Sequence, residues 1–134
     1  MSILDKALQA LFNMAHKKTL WKNASPASSF SEQTVNLNWK IYKELRVVIA
    51  WGSGNAYVTE CTIPIGTQET YGMLNSDVAI ANRYLYVYGR RWELTDDGLK
   101  LGSGYYHDTA INTAIAAIAD NMAAVPLSIY GIRA

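Results

Sequence analysis

Tyrosine is the residue type whose spacing in this chain is most suggestive of chemistry. Three tyrosines alternate along one predicted strand and therefore share a face, and two more stand with a histidine in a segment bounded by glycine. Rings placed in this way can stack on sugars or form a protein interface. The same alternation also arises when tyrosines line the rim of a core or a subunit contact. The candidate ligand-binding residues are Tyr84, Tyr86, Tyr88, Tyr105, Tyr106 and His107.

Loops are the more probable carriers of such a site than strands, because binding residues concentrate on loops held by a rigid scaffold. Three segments rich in turn-forming residues are candidates at one end of the fold: 52–56, 66–75 and 104–108. The sequence predicts that any ligand contacts come from these segments.

Residues for catalysis or metal binding do not form a recognisable pattern. The histidines are His16 and His107, and neither stands at metal-ligand spacing from the single cysteine, Cys61. The Gly-Ser-Gly segments at 52–54 and 102–104 lack the lysine and the following helix of a phosphate loop, so we interpret them as turns. We therefore expect no catalytic residue, no metal and no cofactor, and the chain is not expected to be an enzyme.

The composition narrows the class of protein further. A chain of 134 residues fits one domain, and 50% hydrophobic with only 17% charged residues argues against disorder and for a surface that meets another chain. A net charge of +1 gives no case for binding nucleic acid. Apolar runs are shorter than the ~20 residues of a membrane span, and the amino terminus does not resemble a signal peptide, so we expect folding in a cytoplasm without membrane insertion.

The first residues predict an amphipathic helix over 2–18. Ser2 and Asp5 fit a helix start, and Lys17 and Lys18 fit its end. The apolar seam is formed by Leu4, Leu8, Leu11 and Ala15, whose spacing of four, three and four is that of a coiled coil. A helix this short must pack on something. The alternatives are the same helix of neighbouring subunits, with a trimer favoured, or the chain's own β domain.

The segment 20–37 marks the change from helix to strands. After it, alternating runs bounded by turn residues predict strands at 34–39, 42–51, 57–65, 78–88, 90–95, 99–101 and 125–132, with a hairpin at Asp96-Asp97-Gly98 and a surface loop at 66–77. The segment 109–124 is predicted to be a helix or a long crossover. The expected fold is mainly β: an antiparallel, jelly-roll-like β-sandwich with a short N-terminal α-helix.

Two motifs at the ends of the β region resemble a known family. The opening is Leu20-Trp21-Lys22-Asn23, then Pro26, Phe30 and Gln33-Thr34, and the ending is Pro126-Leu127-Ser128-Ile129-Tyr130-Gly131-Ile132. Both resemble small phage virion proteins of the tail-fibre or head-fibre type. The resemblance covers residues 20–134 and implies an oligomeric, usually trimeric β-sandwich knob displayed on a virus particle. We also expect Leu20 and Trp21 to begin the first β contact, beside the C-terminal strand, with Phe30 closing the base of the sandwich.

This resemblance implies an organisation in which 1–19 is an oligomerisation helix or particle anchor and 20–134 is the knob. The implied function is that of a virion protein assembled in the host cytoplasm, with other virion proteins and a host-surface glycan or protein as partners. The alternatives are a minor capsid decoration or tail adaptor protein with no host ligand, and a glycan-binding β-sandwich module unrelated to viruses.

Overall fold

In a computed structural model of the protein, which describes residues 2–81, 84–110 and 117–133, the chain forms one short helix and two antiparallel sheets. Side chains are described within these ranges except at 13–15, 79–81, 84, 85 and 108–110. The helix α1 spans Ile3–His16, and a 3₁₀ turn lies at Ser53–Asn55. The strands are β1 Lys17–Lys22, β2 Gln33–Asn36, β3 Glu44–Trp51, β4 Tyr57–Pro64, β5 Tyr71–Asn75, β6 Ala79–Ala81, β7 Tyr84–Thr95, β8 Gly98–Ala110, β9 Ala117–Ala119 and β10 Val125–Ile132.

The two sheets are built from strands distant in sequence. Sheet A has the order β1-β10-β3-β4, and sheet B has the order β2-β8-β7-β5, with β6 added to β7 and β9 added to β8. Among the described strands the chain changes sheet between β1 and β2, β2 and β3, β4 and β5, and β9 and β10. The last strand lies between the first and the third, as a Greek-key connection places it. Both sheets are antiparallel, as the sequence predicts.

A single apolar core lies between the sheets. Sheet A contributes Leu45, Val47, Ile49, Ile63 and Ile129, and sheet B contributes Leu74, Leu99 and Leu101, all of them fully or almost fully buried. The alternation of Leu45, Val47 and Ile49 predicted this inward face of β3. The predicted β-sandwich is therefore confirmed.

The strand that follows the helix pairs with the strand that the sequence predicts. Trp21 of β1 is the register partner of Ile129 in β10, so the first strand lies beside the C-terminal strand. Phe30 is buried, its ring meets that of Trp21 edge-on at 5.8 Å, and its N–H donates to the carbonyl of Asn121 at 2.9 Å. Phe30 thus closes one end of the core, as expected.

The helix begins as predicted but ends earlier. The N–H of Asp5 donates to Ser2 Oγ at 3.0 Å, and Ser2 N donates back to Asp5 Oδ2 at 3.3 Å, which is a capping box. Lys17 and Lys18, predicted to end the helix, instead pair with Ile132 and Gly131 of β10. The prediction was wrong at this end because pairing with an already formed sheet edge satisfies more backbone groups than a frayed last turn.

Four boundaries differ from prediction in sheet B. The loop predicted at 66–77 contains β5, where Gly72 and Leu74 face inward and Gly72 leaves room for the Trp92 ring. The strands predicted at 78–88 and 90–95 are instead β6 followed by one long strand, β7. The predicted strand 34–39 ends at Asn36. The segment 104–108 is not a loop, because it continues β8 beside β7 and β9.

The helical alternative for 109–124 is wrong wherever the chain is described. Thr109 and Ala110 end β8, and Ala117–Ala119 form β9, which pairs with Tyr105, Tyr106 and His107. Ile118 and Met122, which carried the helical spacing, are exposed. Pairing with β8 determines the local structure here, and helical periodicity does not. Ile111 and Ile115 lie outside the described residues.

Candidate functional site

The most exposed apolar surface belongs to the N-terminal helix. Every side chain from Ser2 to Phe12 is exposed, and the seam residues Leu4, Leu8 and Leu11 are 68%, 56% and 61% exposed. Ile3 and Phe12 widen the same surface. The seam is therefore not docked on the β domain of its own chain, which was one of the two alternatives. The side chain of Ala15 lies outside the described part of the molecule.

The predicted tyrosine set is divided between two faces of sheet B. Tyr88 pairs with Tyr106 and points toward sheet A, where it packs against the core. Tyr105 and His107 point to the outer face, opposite Gly89 and Val87. Tyr86 alternates with Tyr88 and is half-buried. The side chain of Tyr84 lies outside the described residues.

On the outer face, Tyr105 is part of a small polar cluster. Its hydroxyl donates to Asn75 Oδ1 at 3.0 Å, and its ring meets that of His107 edge-on at 5.6 Å. A Cβ at Gly89 would lie 2.5 Å from the Tyr105 hydroxyl, so this glycine allows the ring to cross β7 toward β5. Burial raises the pKa of Tyr105, which therefore stays neutral as a hydrogen-bond donor. Tyr105 thus links β8 to β5, and neither it nor His107 shares a surface with Tyr106.

On the inner face, four rings form a continuous row. Tyr88 stacks on Tyr106 with ring centroids 5.7 Å apart and planes 26° apart. Trp51 of sheet A lies 5.9 Å from Tyr88, and Tyr57 stacks on Trp51 at 4.9 Å. Trp51 Nε1 donates to Thr59 Oγ1 at 2.8 Å, which fixes the indole. The row links the two sheets at the end where β3 turns into β4.

A cleft of about 850 Å³ opens beside this row. Its walls are the 3₁₀ turn, the turn at 26–27, the turn before β10, and the rings of Tyr88 and Tyr106. Of the three segments nominated by the sequence, 52–56 and 104–108 reach the cleft, the second through Tyr106, and Tyr88 is the other predicted tyrosine in its wall. The turn before β10 supplies Asp120 and Met122, which the sequence analysis did not nominate.

Arg90 is the residue beneath the cleft that sequence reasoning missed. It is 0% exposed, and its guanidinium donates to four main-chain carbonyls: Phe30 at 2.6 Å, Gly102 at 2.8 Å, Asn121 at 2.7 Å and Ala124 at 2.8 Å. The guanidinium also lies 5.2 Å from the centre of the Phe30 ring. Burial lowers the pKa of Arg90 to about 10, with Asp120 opposing the shift, so the side chain stays charged at neutral pH.

Cys61 is half-buried and free, as its isolation in the sequence indicated. Its Sγ lies 3.5 Å from the carbonyl of Asn75. Burial, with smaller contributions from Asp77 and Glu60, raises the pKa of this thiol, so it is a weak nucleophile. In the ranges that the structure describes, His, Cys, Asp and Glu side chains do not gather in groups of three that would suit a metal ion.

The helix and the cleft lie at opposite ends of the sandwich. Lys17, which follows the helix directly, pairs with Ile132 at the end of β10, and Arg133 N donates to His16 O at 2.9 Å. The cleft is lined by Leu127, near the start of β10. Leu127 lies five residues before Ile132, so roughly 17 Å of strand separates this part of the cleft from the base of the helix.

Comparisons of the chain with protein-family models, with curated proteins and with solved structures found no match. Among the described residues, the helix is neither long enough nor apolar enough to cross a membrane.

Proposed function

We propose that this chain is a structural protein of a bacteriophage particle, a knob of the tail-fibre or head-fibre type. It is displayed on the virion by its N-terminal helix after assembly in the host cytoplasm, and it contributes to attachment at the host surface. The antiparallel sandwich and the two terminal motifs support this proposal. Residues of both motifs are neighbours in the fold, since Trp21 pairs with Ile129 and Asn23 Nδ2 donates to Pro126 O at 2.8 Å.

The exposed seam of α1 is the observation on which the proposal depends most. A 14-residue helix is marginally stable alone in water, and leaving Leu4, Leu8 and Leu11 in solvent forgoes roughly 1.5–3 kcal/mol for each leucine that full burial would supply. Spacing of four, three and four fits knobs-into-holes packing with copies of itself. The occupant of this surface is therefore the same helix of neighbouring subunits, most simply in a trimer.

Two alternative functions are compatible with some of these features. A minor capsid decoration or tail adaptor protein would use the same helix and have no host ligand. A glycan-binding module unrelated to viruses would be active as a monomer and would not associate with a larger particle. The exposed seam favours the first over the second, because a monomeric module has no use for it.

Size-exclusion chromatography with light scattering tests self-association. We expect the full chain to be trimeric and Leu8→Glu, which places a charge in the seam, to be monomeric. Lys6→Glu is the matched control, since it changes an exposed residue on the opposite side of the same helix and should leave the trimer intact. A full chain that is monomeric at every concentration would contradict the proposal.

Mass spectrometry of gradient-purified particles, produced by a culture that carries the gene, tests the virion assignment. We expect the chain in the particle fraction at a stoichiometry that is a multiple of three. Recovery only in the soluble lysate would favour the non-viral module.

A further inference from the structure

We propose that the cleft beside Tyr88 and Tyr106 binds a short, electrically neutral oligosaccharide. Its volume of about 850 Å³ lies within the range of clefts that enclose small ligands, and its lining mixes rings, glycines and a few polar side chains. The inference rests on the proposed display role for its biological purpose only, because binding can be measured on the purified chain.

The rings give the cleft a wall suited to a sugar. Tyr88 and Tyr106 are half-buried and stacked with planes 26° apart, so each ring covers part of one face of the other, and both line the cleft. The face of an aromatic ring carries partial negative charge and attracts the C–H groups on the apolar face of a pyranose. Trp51 packs behind Tyr88 and holds it in place.

The opposite wall supplies hydrogen-bonding groups. Gly52, Gly54 and Asn55 all have positive φ, at 86°, 64° and 53°, so this turn has a backbone that most side chains disfavour. All four residues of this turn line the cleft, and Ser53 and Gly54 are exposed, so a hydroxyl and the Asn55 amide stand beside it. A few fixed polar groups opposite an apolar surface give the orientation and selectivity that a polyhydroxylated ligand requires.

The charge of the lining restricts the ligand class. Asp120 is the one charged residue among the described residues that line the cleft, and it is exposed. A carboxylate accepts hydrogen bonds from sugar hydroxyls but repels phosphate, sulfate and sialic acid. Neutral sugars are therefore favoured over anionic ones at this site.

The turn that carries Asp120 is held rigidly. Arg90 binds the carbonyls of Asn121 and Ala124, Asn121 Oδ1 accepts from Gly104 N at 3.1 Å, and Asp120 N donates to Gly104 O at 3.0 Å. A site that is already ordered loses less entropy when it binds. Arg90 is thus a positioning residue for the cleft.

Isothermal titration of the full-length protein with maltotriose, triacetylchitotriose, lactose and sialyllactose tests the proposal. We expect binding of at least one neutral sugar at micromolar to millimolar concentration, and weaker binding of sialyllactose than of lactose. Tyr106→Ala should lower the affinity for the neutral sugar about tenfold. Tyr105→Ala is the matched control, because the adjacent tyrosine points to the other face of the sheet and should leave binding unchanged.

A second variant, Asp120→Asn, tests the charge argument even if Tyr106→Ala fails to fold. Asparagine keeps an oxygen acceptor for Met122 N, which donates to Asp120 Oδ1 at 2.9 Å. It should strengthen sialyllactose binding while lactose stays within about twofold. The inference is overturned if none of the neutral sugars binds, or if Tyr105→Ala and Tyr106→Ala weaken binding equally. It is also overturned if NMR shifts near Tyr106 follow protein concentration and not added sugar, since the cleft would then hold a second copy of the chain.

The inference and the proposed function fail in different experiments. A chain that binds sugar but is monomeric and missing from particles would leave the cleft assignment standing and remove the virion role. A chain that is trimeric and present in particles but binds none of the neutral sugars would leave the virion role standing and remove the cleft assignment.

Discussion

Arg90 is a buried cation whose partners are all uncharged main-chain oxygens. Its planar fork of donors reaches carbonyls in three separate parts of the chain, at Phe30, Gly102 and the turn 121–124, which a lysine with its compact ammonium would not match. Because the folded pKa is lowered only to about 10, the cost of burying the charge is constant below that pH. Arg90 therefore adds no pH dependence to stability in the neutral range, and stability linked to it would rise only above pH ~10.

Replacing Arg90 by Met should lower the free energy of unfolding by about 3–5 kcal/mol, as when a buried charge network loses one partner and leaves the other groups unsatisfied. Arg90→Lys should recover part of this loss. Arg91→Met is the matched control, because Arg91 is exposed and lies over the Tyr71 ring at 4.7 Å, so its loss should stay below about 1 kcal/mol. Urea titration followed by tryptophan fluorescence measures all three. Equal losses in the free energy of unfolding for Arg90→Met and Arg91→Met would contradict a stabilising role for the four Arg90 hydrogen bonds.

The alternation of residues along β7 is a sequence signal for the burial of Arg90. Tyr84, Tyr86 and Tyr88 alternate in the sequence, and continuing that alternation by one step reaches Arg90, which faces inward as Tyr88 does. The alternation does not reveal which carbonyls the buried arginine contacts, because these carbonyls belong to segments up to 60 residues away. The ring contacts also could not be predicted from the sequence. Because 104–108 is a strand and not a loop, the adjacent Tyr105 and Tyr106 lie on opposite faces of the sheet.

At the scale of elements, the sequence predicted strands where alternation was strong. The core strand β3 and the closing strand β10 lie where the pattern placed them, and the hairpin at Asp96-Asp97 joins β7 to β8. Prediction failed where a glycine occupies an inward position that usually holds an apolar residue, as in β5, and where pairing with another strand of the same sheet decided the outcome, as in β1 and β9. The local pattern of a segment carries no information on which strand it pairs with.

Gly104 shows how an element depends on one small residue. A Cβ there would lie 2.3 Å from the carbonyl of Asp120 and 2.6 Å from that of Ala123, so β8 could no longer approach the turn before β10. Gly104→Ala should destabilise the fold by about 1–3 kcal/mol, as overpacking does. Ser103→Ala, at the exposed neighbouring position, should change stability by less than about 0.5 kcal/mol. Thermal unfolding of both variants would show the contrast, and equal melting temperatures would contradict it.

At the scale of the whole molecule, the sandwich is predicted to be independent of the helix. Core packing involves residues from Leu20 onward, while described side chains from Ser2 to Phe12 are exposed. Removal of residues 1–16 should therefore leave the β-sheet circular dichroism and the melting temperature of the dilute protein nearly unchanged. Any concentration dependence of melting in the intact chain should disappear with the helix, since self-association stabilises by mass action. An unfolded truncated chain would show instead that α1 is part of the folding unit.

The pairing of β1 with β10 has a mechanical consequence. The helix leaves from the Lys17 end of β1, and the turn that walls the cleft enters β10 at Val125, near the opposite end of the same antiparallel pair. If the helix is anchored and the cleft holds a ligand, as we propose, tension between them pulls these two strands along their length in shear. The interstrand hydrogen bonds then share the load and must break together, whereas a peeling force would break them one at a time. This topology joins the two ends of the molecule by the connection that best resists being pulled apart.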